Sequence, residues 1–301
     1  MISFINREEL DVVKYNHCIE KSLQSRVFGY SWYLDIACDT WGALILDDYQ
    51  AVMPIPWNKK YTIKYVYPPL WVLELGVFSL EKIETKPFLE SLLRCFKFVE
   101  LRLNTDNGIE KINDQSVIRK MQWISIAEGY DDVFLRYRKD RKKDLVKANK
   151  FGLREVWQDT SENLVTLFKN NIGKRDQNIE EKDYQNLSSL IEKCIRQKVG
   201  EVLSIYDENE CLVASAFFLL YNKTATILVS STDLRNRKNG ANTFLIDRAI
   251  SKYQETYTSF NFGGSSIQTV ADYFKSFGAN ESNYSFLKQN KLPVLIKLFR
   301  K

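Results

Sequence analysis

The residue types best suited to chemistry gather in Ser259–Ala279, which reads SFNFGGSSIQTVADYFKSFGA. A short apolar run, Phe260–Phe262, meets Gly263 and Gly264, then the hydroxyls of Ser265 and Ser266. A helical pattern follows, carries Phe274 and Lys275, and stops at Gly278. A strand, a glycine turn and a helix start let backbone N–H groups face a ligand, with partial positive charge suited to an anion. The serines have two readings, a cap for the helix or a contact to substrate. The glycines serve tight turning on either one.

Other candidates are fewer. The only histidine is His17, on an expected helix over 7–22, where it reads as a general base or as a plain surface residue. One histidine disfavours serine, cysteine and metal hydrolase chemistry that leans on imidazole. Asp39, Glu74 and Asp233 sit at expected strand ends or loops, where a carboxylate can take a proton from an amine, but no pairing among them follows from spacing. Trp41, Trp57, Tyr67 and Trp71, with Pro54, Pro56, Pro68 and Pro69, suit an aromatic acceptor groove or a packed core equally.

These residues need a scaffold. The chain has 301 residues, more than one core usually holds, so two domains are expected. Its 43 basic residues nearly balance 38 acidic ones, for a net charge of +5. That balance is not the footprint of a dedicated nucleic-acid binder. The five cysteines are widely spaced and form no C-x-x-C, which excludes a zinc ribbon and suits a reducing cytoplasm. No signal peptide and no run of about 18 apolar residues is visible, so no membrane span is expected.

Strands are expected at 2–5, 33–36, 42–46, 51–55, 61–66, 71–75, 98–103 and 121–126, with helices over 8–23 and 86–97. A basic helix is expected to run from Tyr130 to Gly152 and to join the halves. Beyond it, helices at 162–170 and 183–197 precede a hairpin of 201–206 and 213–221. A strand at 224–230, a helix ending at Tyr253, the 260–262 strand and a helix over 269–277 follow. The tail at 284–287 and 294–299 adds one or two elements. Each half thus reads helices, antiparallel strands, helix, strand, a weak repeat of architecture without residue identity. The order and the missing Gly-x-Gly-x-x-Gly argue against a doubly wound dinucleotide fold.

The second half resembles the Gcn5-related acyltransferase (GNAT) fold. There, a loop after the central strand opens a helix whose N-terminus takes the pyrophosphate of coenzyme A. The matching loop is Thr232–Ala241, TDLRNRKNGA. Arg235 stands at the first position of the family's Gln/Arg-x-x-Gly-x-Gly/Ala and Gly240 at the last, but Lys238 replaces the first glycine. Arg235, Arg237 and Lys238 would then hold a phosphate by charge, with Asn239, Gly240 and Ala241 at the helix start.

Across about 130–280 the chain is more similar to the Fem-type peptidyltransferases, which carry two GNAT-like domains in tandem. The basic run YRKDRKKDLVKANKFGL, the Asn261–Gly264 segment NFGG, and Phe274-Lys275 with Phe277-Gly278-Ala279 carry this resemblance. It implies an α+β (mixed α/β) fold of two tandem GNAT-like domains, each a mostly antiparallel mixed sheet flanked by helices. The expected division is a first domain over 1–129, a linking helix over 130–152 and a second domain over 153–301. The resemblance further implies acyl or aminoacyl transfer to a small-molecule or peptide amine that enters between the domains. Lys275 would neutralise charge at the transferring centre; its plainer reading is a cation in the last turn of a helix. The donor would lie along Arg235–Ala241 and Gly263, Gly264, Ser265 and Phe274, with acyl-coenzyme A and aminoacyl-transfer RNA as candidates. A coenzyme A-dependent N-acetyltransferase and a non-catalytic binding protein are the alternatives.

Overall fold

The computed structural model describes residues 1–107, 116–175, 178–236, 238–264 and 267–293. The chain divides into two compact units, one of Met1–Arg119 with Asn283–Lys301 and one of Lys120–Ser282. This differs from boundaries at 129 and 152. Residues 120–152 belong with the second unit, and the tail returns to the first because a strand there needs it as a partner.

In the first unit, β1 (Ile2–Asn6), β2 (Trp41–Leu46) and β3 (Ala51–Lys60) form an antiparallel meander. The β2–β3 turn is made at Asp47–Gln50, with Asp47 and Tyr49 at φ 48° and 59°. Then β3 pairs with β4 (Ile63–Val66), β4 runs parallel to β6 (Phe98–Arg102), and the short β5 (Phe78–Ser79) lies on β3. The last half of β13 (Asn280–Asn290) closes the order on β6, pairing Phe286 with Arg102 and Asn290 with Phe98. Gln289 reinforces this by donating to the carbonyls of Leu93 and Phe96 at 2.9 and 2.8 Å.

Helices α1 (Val12–Lys21), α2 (Ser31–Ala37) and α3 (Lys86–Cys95) complete the unit. Asp11 caps α1 by accepting from the amides of Val13 and Lys14. The strand expected at 33–36 lies inside α2. Its aromatic composition suits either element, and the helix buries Tyr33 and Leu34 together while Tyr33 Oη donates to the Trp71 carbonyl at 2.7 Å. The strand expected at 71–75 is reduced to one bridge, Leu75 to Leu103.

In the second unit, β8 (Arg154–Trp157), β9 (Gly200–Tyr206), β10 (Leu212–Tyr221) and β11 (Thr224–Thr232) run antiparallel. β11 then pairs in parallel with β12 (Ser259–Asn261), which pairs antiparallel with β7 (Ser116–Ser125). Residues 213–219 of β10 are all buried, the pattern of a strand covered on both faces. One face packs Ala214, Ala216 and Phe218 against Leu245, Ala249 and Ile250 of α8 (Ala241–Tyr253). α6 (Ser161–Asn171) and α7 (Glu181–Arg196) supply the rest of the cover; α7 opens with a capping box between Glu180 and Asp183.

The expected helix over 130–152 is two, α4 (Tyr130–Leu135) and α5 (Lys139–Lys150). Arg138 breaks it by taking extended angles, φ −63° and ψ 157°. Its amide is thereby free to donate at 2.9 Å to the carbonyl of Ser276, just past α9 (Gln268–Lys275). Tyr137 turns into the core and meets the Phe277 ring edge-on at 5.1 Å. The expected tail strand at 294–299 lies outside the described residues.

Candidate functional site

The two parallel strands of the second unit stay paired for three residues only, Thr224–Thr226 against Ser259–Asn261. β11 continues to Thr232, whereas the other chain turns away through Gly263 and Gly264 at φ 81° and 72°. Positive φ at both positions explains two glycines in a row. Asn261 Oδ1 fixes the turn by accepting from the Gly263 amide at 2.9 Å. Gly264 lies against Met121, where an added Cβ would stand 3.1 Å from that side chain. Beyond Thr226, one edge of β11 therefore lacks β12 as its ladder partner, an opening beside the glycine turn.

The Phe-Lys pair is joined to this turn. Phe274 stacks on Phe262 with centroids 4.9 Å apart, and Phe277 meets Phe262 at 5.9 Å. These rings set the end of α9, whose last residue is Lys275. Its Nζ lies 3.0 Å from Glu281 Oε1. Lys120 Nζ approaches the other oxygen at 3.1 Å, and Gln122 Nε2 donates to Oε1 at 3.3 Å. Gln122 itself is fully buried, and its carbonyl accepts from the Phe262 amide at 3.0 Å. The lysine ammonium groups hold the Glu281 carboxyl down to about 2, Lys275 first and Lys120 second. Lys275 thus stands as a cation in a polar cluster bonded to the segment where β11 and β12 part. It also occupies the last turn of its helix, as its plainer reading expects.

The loop toward α8 is arranged differently. Arg235 forks onto its own near neighbour Asp233, with Nη2 2.8 Å from Oδ2, and is 89% exposed at its side chain. Lys238 is exposed. Asn239 Oδ1 accepts from the Ala241 amide at 2.9 Å. Gly240 adopts φ 85° and caps α8, and a Cβ built on it would stand 2.2 Å from the carbonyl oxygen of Asp144 in α5. Backbone from α5 therefore packs against the residue that opens α8, a crowding that does not suit a pyrophosphate there. Arg237, Ser265 and Ser266 lie outside the described residues. Near Asp233 and Arg235, α6 borders a polar cleft of ≈ 830 Å³ that includes Asn163, Asn170 and Lys174.

The aromatic candidates belong to the first unit. Trp41 and Trp71 are buried, and Trp41 Nε1 donates to Asp35 at 2.8 Å. Trp57 and Tyr67 are half-buried on or beside the β3–β4 hairpin. Lys64 sits 4.4 Å over the Trp57 ring. The Tyr67 hydroxyl accepts from the Asp39 amide at 3.2 Å, and burial raises its pKa. Glu74 is buried with Arg26 Nε 3.0 Å from Oε1, and burial raises its carboxyl. His17 is exposed on α1. Of the cysteines, Cys18 and Cys194 are buried thiols pushed up to about 11 and about 12.

Sequence reading passed over Lys120, Gln122 and Glu281, the residues that place Lys275. Their signal was present in the alternation of β7 and of the strand that follows Phe-Gly-Ala, which puts Lys120, Gln122 and Ile124 on one face of β7. Nothing local tied Lys120 and Gln122 to Glu281, because those contacts span some 160 residues.

No family model matches the sequence, and a search of curated proteins gives no match. Solved structures do match. FemX aligns over 99% of this chain and 100% of its own at TM-score 0.65 and 11% identity. L-PGS from Bacillus licheniformis aligns over 96% and 95% at TM-score 0.59 and 12% identity. A tandem GNAT protein from the clavulanic acid biosynthesis pathway aligns over 97% and 99% at TM-score 0.52 and 8% identity. The chain has the Fem-type, tandem GNAT-like fold.

Proposed function

We propose that the chain transfers an acyl or aminoacyl group to an amine. The observation that carries this reading is the position of Lys275. It closes α9, is stacked into place through Phe274 and Phe262, and is tied through Glu281 to the segment where β11 and β12 part. The fold shared with FemX and a tandem GNAT protein supports it.

The acceptor amine attacks the donor carbonyl, forming the C–N bond and placing negative charge on the carbonyl oxygen. The Lys275 ammonium stabilises that charge where it develops. Collapse breaks the bond from the carbonyl carbon to the donor's leaving atom, an ester oxygen or a thioester sulfur, and the amine proton ends on that atom. Lys120 and Gln122 share the load on Glu281, so Lys275 can turn toward an oxyanion without leaving the carboxylate unpaired. Asp233 and the polar cleft beside α6 are the candidate acceptor side within this unit. Trp41, Trp57, Tyr67 and Trp71 serve mainly as packing in this reading.

The test is transfer of radiolabelled amino acids from charged bulk transfer RNA, and of acetyl groups from acetyl-coenzyme A, to a panel of peptide, amino-sugar and aminolipid acceptors. Lys275→Ala should lower any transfer about 100-fold or more, the usual cost of removing one oxyanion donor. Transfer that survives the substitution would remove Lys275 from the mechanism. Absence of transfer from every donor would favour a non-catalytic binding role.

A further inference from the structure

α5 lies across the first turn of α8. Besides the carbonyl of Asp144 that abuts Gly240, the Asp144 carboxylate faces the same turn, with Thr243 Oγ1 donating to Oδ2 at 3.3 Å. Arg141 fastens the arrangement. Its guanidinium lies 3.0 Å from Asp144 Oδ2, donates to Thr243 Oγ1 at 2.8 Å, and sits 4.6 Å over the Tyr273 ring. Thr243 is buried, and the Arg141 and Asp144 side chains are only 13% and 19% exposed. This is a partly buried contact between the two helices.

A helix start attracts negative charge because its first amides are unpaired and its dipole is positive there. We propose that Asp144 is the resident anion of α8. It takes the electrostatic place that a coenzyme A pyrophosphate would fill in this fold, so the chain's donor is a molecule not anchored by pyrophosphate at that helix. A diphosphate arriving there would meet the Asp144 carbonyl packed against Gly240 and a carboxylate of like charge facing Thr243, both costly in a partly buried setting. Five cations of the 136–150 segment are likewise committed internally: Arg136 to Glu128, Arg138 to Asp140, Arg141 and Lys147 to Asp144, and Lys142 to the Leu135 carbonyl. The basic segment thus serves in large part as a brace. The inference stands on α5 and α8 and is independent of Lys275.

Two measurements test it on the full chain. The first is thermal shift with coenzyme A and with inorganic pyrophosphate, since a ligand that binds the folded state raises its melting temperature. Neither should give a saturable rise at millimolar concentration; a saturable rise with either overturns the proposal. The second is amide hydrogen exchange in Asp144→Ala and in the more conservative Asp144→Asn. Exchange in the first turn of α8 should speed up about tenfold or more relative to its last turn, because only that end loses its anion. Unchanged exchange in both variants would show that Asp144 does not hold the helix start, and would overturn the proposal equally.

Discussion

Lys275 and Glu281 form an ion pair at 3.0 Å that bridges the end of α9 and the first residues of β13. Glu281 receives a second lysine and an amide, so it is the hub of the cluster and Lys275 one of its spokes. Its carboxyl, held down to about 2, contributes stability present above its unfolded value of about 4.3. That contribution drains away as pH falls through the folded value. Between about pH 4.3 and 2, melting temperature should therefore fall less steeply in Glu281→Gln than in the parent. Identical slopes would mean the pair does not persist in solution.

Gly240 offers a steric test. An added Cβ meets the Asp144 carbonyl at 2.2 Å, and the φ of 85° disfavours any L side chain. Gly240→Ala should cost about 1–3 kcal/mol from backbone strain before the displacement of α5 is counted. Urea unfolding of the variant reads this directly, and a loss under about 0.5 kcal/mol, the scale of an ordinary surface change, would show that α5 yields easily.

Arg141 ties three elements together by two carboxylates, a hydroxyl and an aromatic face. Removing one partner of a largely buried ion pair costs about 3–5 kcal/mol, so Arg141→Ala should be among the most destabilising single changes in the second unit. Arg141→Lys should recover only part of it, because an ammonium cannot fork onto Asp144 and Thr243 while lying flat on Tyr273. Full recovery by lysine in thermal unfolding would reduce the contact to simple charge.

Phe274→Leu keeps apolar bulk and loses the stack on Phe262. Stability should fall by about 0.5–1.5 kcal/mol, the worth of an aromatic pair beyond its area. If the stack also aims Lys275, transfer activity should fall further than stability explains. A loss of stability with unchanged transfer would confine Phe274 to packing.

How much was legible before the fold was known follows from where each signal resided. NFGG and Phe-Lys announced themselves because a double positive φ requires glycine and because both lie within one short stretch. The hairpins were readable from alternation and turn residues. The break at Arg138 was not, since its cause is the Ser276 carbonyl almost 140 residues away. The segment 33–36 reads as a strand because Tyr33, Leu34 and Ile36 fit either pattern until Trp71 supplies a partner for Tyr33. The Arg235 loop matched by residue type, yet Arg235 answers to Asp233 two positions earlier and α8 answers to Asp144. Neighbours in space, not motif letters, decided both.

The return of β13 to β6 carries a consequence for how the chain is made. The second unit occupies one uninterrupted stretch, 120–282, while the first is split by it. Residues 1–119 emerge from the ribosome first but meet Phe286–Asn290 only after the whole of 120–282 has been made. Until then Phe98–Arg102 presents a bare edge, the kind of surface that recruits stray strands. The order of synthesis and the order of completion are thus reversed: the half that is born first is the half that finishes last.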